Sequence, residues 1–197
     1  PLPRLLLVLT EFPPSFGGMQ THAVELARRL HAAGHPLLVL TYRPADPLDS
    51  SFPFPVHRVL SRLSYWANVR RIAAAARQFQ ADLIYSSTVY FAQAAALAGL
   101  PILCRSAGND VLRPWIAWPF RPASRLLDLP FFERHLYPWL RQRDWPARFD
   151  RFLHRSRHHL MLQSTLGMSR IAANSAFTAS RLRALGVPPH RIDLLPG

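Results

Sequence analysis

The chain has 197 residues, the length of one domain at the usual ~100–200 residues each. Hydrophobic residues make up 49% and charged residues 18%, a globular composition, and the net charge is +13. All 24 basic residues are arginine, which excludes a Walker A, Schiff-base or general-base lysine, and the single Cys104 excludes an internal disulfide or a multi-cysteine metal site.

The chain opens at Pro1 and stops at Gly197, and both ends are expected to be cut from a longer polypeptide. Leu5–Leu9 is too short for a signal-peptide core of ~7–15 residues. No stretch reaches the ~18–20 apolar residues of a membrane span. A cytoplasmic location is expected, with peripheral attachment to the inner face of the membrane left open.

Arg4–Thr10 is a near-continuous apolar run, the pattern of a strand buried on both faces. Glu11–Gly18 is a loop punctuated by two prolines and two glycines. Met19–Ala33 has helical periodicity and Gly34 supplies its stop. Pro36–Thr41 and Val56–Leu60 read as strands, Trp66–Phe79 as a helix with an Ala/Ile face, and Asp82–Tyr85 as a strand. Val89–Ala98 is a helix before Gly99, followed by a strand at Pro101–Cys104. The last units are a strand at Arg170–Ala173, a helix at Ala176–Leu185 ended by Gly186, and a strand at Ile192–Leu195. This alternation predicts an α/β fold with a Rossmann-like doubly wound parallel sheet.

Val111–Arg157 breaks the rhythm and reads as an aromatic, arginine-rich helical insertion, with a longer helix near Pro146–Met161. It holds four of the five tryptophans, and Arg105–Arg157 has 11 arginines against five acids. Three readings stand: a solvated arginine face, an interfacial patch for an anionic membrane, and a stacking surface for single-stranded nucleic acid. Nucleic acid is the least favoured, because no recognisable nucleic-acid module accompanies the patch.

In such a sheet, ligands bind beyond the carboxyl ends of the strands. Four loops leave those ends. Pro13–Gly18 runs into a helix, whose free N–H groups suit phosphate, or it is a plain connection. Arg105–Asp110 is either a turn or a site for sugar hydroxyls and an anion. In Ala173-Asn174-Ser175 the serine is suited to cap the next helix, and Tyr85–Thr88 resembles a cap too. His154 and His158 lie at helical spacing but lack further metal ligands, and Cys104 closes a buried strand. No G-x-S-x-G or G-x-G-x-x-G occurs.

Phe12-Pro13-Pro14, Gly17-Gly18-Met19, His22, Glu25-Leu26-Ala27 and Gly34-His35 together resemble the opening of glycosyltransferase family 4. Gly108-Asn109-Asp110-Val111 resembles its Gly-x-Asp loop, and Ala173-Asn174-Ser175 with Ile192–Gly197 resembles the end of its N-terminal lobe. The resemblance implies a GT-B fold of two Rossmann-like lobes, and a metal-independent, retaining hexosyltransferase that needs no cofactor beyond its nucleotide-sugar donor. Residues 1–197 correspond to the N-terminal, acceptor-side lobe, interrupted at about 111–157. The C-terminal donor lobe lies beyond this sequence, fused downstream or separate, and the chain is expected to be inactive without it.

By the same carry-over, Gly17 and Gly18 approach the donor phosphate or the reacting sugar, His22 is a substrate-binding residue, and Gly108, Asn109 and Asp110 line the cleft. Asn174 and Ser175 lie near a saccharide or lipid-linked acceptor of polysaccharide or cell-envelope synthesis. Many members carry a histidine just before the loop glycine; here that position is Ala107, so Arg105 or Asp110 is expected to take over its catalytic contact. The alternative from another class is a non-enzymatic α/β module for an anionic polymer or nucleic acid.

Overall fold

The computed structural model describes residues 1–14, 17–42, 51–61, 64–112, 135 and 155–196. Leu5–Val8 forms β1, Leu37–Tyr42 β2, Val56–Leu60 β3, Leu83–Ser86 β4, Ile102–Ser106 β5, Arg170–Ala173 β6 and Ile192–Leu194 β7. They form one parallel sheet in the order β3-β2-β1-β4-β5-β6-β7. The strand order reverses between β1 and β4, so the switch point of a Rossmann-like sheet lies there. The predicted fold class is therefore the observed one.

The helices are α1 (Gly18–Ala32), α2 (Tyr65–Phe79), α3 (Ala92–Ala98), α4 (Asn109–Leu112), α5 (Arg155–Leu166) and α6 (Ala176–Ala184). One face of the sheet, with Leu5, Leu7 and Leu9, packs against Ala23, Val24 and Ala27 of α1. The other face, with Leu6, Val8, Ile84 and Cys104, belongs to the larger core with Ile72 of α2 and Leu182 of α6. Burial on both faces explains why β1 is an unbroken apolar run.

Two elements differ from the sequence expectation. The helix expected over Val89–Ala98 divides into a 3-10 turn, Val89–Phe91, and α3. Tertiary partners set that boundary: the Val89 N–H donates to Asp110 Oδ2 (3.1 Å) and the Ala92 N–H to Ser164 Oγ (3.0 Å). The helix expected to end near Met161 runs to Leu166. Two polar residues of its last turn are buried, with Ser164 on Ala92 and Thr165 Oγ1–H donating to Met161 O at 2.8 Å. Hydrophobic periodicity misses such a turn. The insertion expected at Val111–Arg157, including the helix start near Pro146, lies largely outside the described residues. Among the described residues, no helix is long and apolar enough to cross a membrane.

Candidate functional site

Successive residues of a strand point to opposite faces of the sheet. The pairings Val8↔Ser86 and Ser86↔Cys104 put Leu9, Ser87 and Arg105 level with one another at the carboxyl ends of β1, β4 and β5. These odd-numbered positions share the face covered by α1. A cavity of about 150 Å³ opens there, directly at the switch point.

Its walls come from four elements. Leu9 and Glu11 follow β1, Tyr85 and Ser87 belong to the end of β4, and Arg105 and Ala107 to the end of β5. The first turns of α1 add Gly18, Met19, His22 and Ala23. Gly17 is the N-cap of α1 with no side-chain cap, and there is no acidic residue in the first turn. The opening N–H groups of the helix therefore keep their partial positive charge.

The polar groups of the cavity are held differently. Ser87 Oγ lies 3.1 Å from Thr10 Oγ1 and accepts the Thr10 N–H at 3.1 Å. Gln20 Nε2–H donates to Glu11 Oε2 at 2.9 Å. A Cβ on Gly17 would fall 2.7 Å from Gln20 Oε1, so the glycine leaves room for that amide. Arg105 is half-buried, and its side chain makes no hydrogen bond or ion pair among the described residues. Burial, and then the charge of Arg105, hold the His22 imidazole below its usual pKa. Burial pushes the Tyr85 phenol up.

Of the residues expected from the sequence, Gly18, His22 and Arg105 meet in this cavity, with Gly17 at its edge. Ala107 is on its wall as well, so the position of the family's loop histidine is lined here by a methyl group. Asp110, expected to line the cleft, is instead turned inward and only 4% exposed. Its Oδ1 accepts Ser106 Oγ–H at 2.7 Å and its Oδ2 accepts the Val89 N–H. Burial raises its pKa despite these hydrogen bonds. Gly108 makes the turn at φ +95°, a left-handed conformation that favours glycine, and is buried. Asn109 opens the short helix α4.

Asn174 and Ser175 lie one strand further out and brace loops. Asn174 Nδ2–H donates to Ala107 O (3.0 Å) and its Oδ1 accepts Thr178 Oγ1–H (2.9 Å). Ser175 Oγ accepts the Thr178 N–H (3.1 Å), the capping alternative read from the sequence. The cap expected at Tyr85–Thr88 is a local bracket: Ser86 Oγ–H donates to Thr88 O and accepts the Thr88 N–H. Cys104 is fully buried, and burial pushes its thiol pKa up. Among the described residues no group of three His, Cys, Asp or Glu could hold a metal ion. Sequence reasoning did not select Glu11, Gln20 or Ser87 as site residues. Their signal was positional: each sits within three residues of a strand end or inside the first turn after the glycines.

A seven-stranded parallel sheet with a cavity at its switch point defines the chain as a Rossmann-like α/β domain. The sequence model of Glycosyltransferase Family 4 matches residues 16–197, and the chain belongs to that family. The solved structures similar to it include the apo lipopolysaccharide outer core galactosyltransferase WaaB, with TM-score 0.59, 13% identity, and 98% of this chain against 45% of that one. Another is Anabaena Alr3699/HepE in complex with UDP and glucose, with TM-score 0.53, 17% identity, and 98% against 44%. A third is the UDP-GlcNAc 2-epimerase of Methanocaldococcus jannaschii, with TM-score 0.54, 12% identity, and 97% against 45%. The chain thus spans under half the length of these proteins. No curated protein sequence matches it.

Proposed function

We propose that this chain is the acceptor-side lobe of a retaining, metal-independent glycosyltransferase. The enzyme moves a hexose from a nucleotide-sugar donor to a saccharide or lipid-linked acceptor. The observation that carries the reading is the switch-point cavity, in a family 4 chain, that combines Arg105, His22, Glu11 and a bare helix N-terminus. Apolar walls at Leu9, Ala23 and Tyr85 suit the face of a sugar ring, and the polar groups suit its hydroxyls. The structural relatives support a nucleotide-sugar donor, since one of them holds UDP and glucose, and an envelope saccharide, since another is a lipopolysaccharide galactosyltransferase.

The donor site belongs to the second lobe, so the chain alone is inactive. Incubation of the purified chain with UDP-glucose and a glycoside acceptor should yield no product, and adding the donor lobe should restore transfer. Product from the chain alone contradicts this reading. In the assembled enzyme the product should keep the donor's anomeric configuration, and EDTA should leave the rate unchanged. The basic, aromatic insertion supports work at the inner face of the cytoplasmic membrane. Co-sedimentation with anionic but not neutral liposomes tests that part, and binding to neither removes it.

A further inference from the structure

Within the cavity, the charges are spaced unevenly. Glu11 follows β1 and Arg105 ends β5, with β4 between them, so their strands are roughly 9–10 Å apart. Glu11 is engaged by Gln20. Arg105 has no acid beside it among the described residues, and its nearest charged or titratable neighbours on the wall are His22 and Tyr85. Ala107, two residues on, lines the same cavity and contributes only a methyl group. Apolar walls reduce the water available to the guanidinium. Its planar fork matches a carboxylate or a phosphate in two parallel hydrogen bonds.

Resting on the acceptor-side reading, we propose that the acceptor carries an acidic group, a sugar carboxylate or a phosphate ester, bound by Arg105 together with His22. In the free protein burial, and then the charge of Arg105, disfavour the charged form of His22. An anion between the two residues cancels that repulsion and draws the imidazole toward its charged form. The other groups facing His22 are Tyr85 across the cavity and Glu11 on the β1 side. On α1 itself Glu25 stands one turn on, paired with Arg28 (3.6 Å) and Arg29 (3.9 Å).

The test is calorimetric titration of the protein with glucose, glucuronate, glucose 6-phosphate and inorganic phosphate, with the His22 imidazole followed by NMR. One of the two acidic sugars should bind about tenfold or more tighter than both glucose and inorganic phosphate. Which of the two does so distinguishes a carboxylate from a phosphate. Arg105→Gln should bring the acidic sugar and glucose to about the same affinity. His22→Gln should remove only part of the preference, and the His22 pKa should rise on binding in the unaltered protein. An equal affinity for all three sugars, or a preference that survives in a folded Arg105→Gln protein, overturns the proposal. So does inorganic phosphate binding as tightly as the acidic sugar, which marks a site for free anions. Binding of no sugar at all overturns the acceptor-side reading and this proposal with it.

Discussion

Arg105 in β5 and Asp110 in α4 stand five residues apart, and they have opposite fates. Arg105 occupies an odd position of β5, on the face of α1, and reaches the cavity half-buried with no described partner. Asp110 is turned under the loop toward the even face and is bound on both oxygens by Ser106 and Val89. One residue is available for a ligand. The other fixes the loop that presents it, tying β5 to the 3-10 turn after β4. The difference teaches that a charged residue in a site loop is judged by its sheet face and its partners, since both residues fit the same motif.

Substitutions should separate the two roles. Asp110→Ala leaves a buried N–H and a buried hydroxyl without acceptors, and should destabilise the fold by about 3 kcal/mol. At this chain length that lowers the thermal midpoint by about 10 °C. Arg105→Ala should leave the midpoint within about a degree, since it removes no described contact. It should lower kcat/KM of the assembled enzyme by about 100-fold if the guanidinium contacts substrate. A fall in midpoint for Arg105→Ala, or none for Asp110→Ala, reverses the assignment.

Gly108→Ala forces a side chain into the left-handed region and should destabilise by about 1–2 kcal/mol. The pH dependence sharpens the Asp110 side. Its folded pKa is raised above the ordinary 3.8, so between those values the native state keeps a proton that the unfolded state has lost. Stability therefore falls as pH rises through that window, by no more than about 1.4 kcal/mol per pH unit. Urea unfolding of Asp110→Asn should show a flatter profile there; an unchanged slope places the effect on another group. Ser175→Ala removes the cap of α6 and should cost about 1 kcal/mol, with no change in sugar binding. A selective loss of binding would return Ser175 to the site.

Much of this was legible in the sequence, for identifiable reasons. Leu5–Val8 and Leu37–Leu40 are apolar runs because both faces are covered, and Gly34, Gly99 and Gly186 mark the ends of their helices. The glycines before α1 located the cavity because a helix N-terminus follows a strand end there. What stayed hidden depends on tertiary partners. Ser164 and Thr165 look solvent-facing but are buried, Ser164 against Ala92 far along the chain and Thr165 against Met161 one turn back. Asp110 reads as a ligand in its motif, and only Val89, 21 residues upstream, reveals its structural task. The pairing of Gln20 with Glu11 needs the fold of the loop between them.

The central claim is that the ligand sits on the α1 side of the β1–β4–β5 strand ends. Chemical-shift mapping of the protein during titration with glucuronate measures this directly. The largest shifts should fall on His22, Ser87, Arg105 and Ala107. Shifts concentrated at Asp110, Asn174 and Ser175 would contradict it.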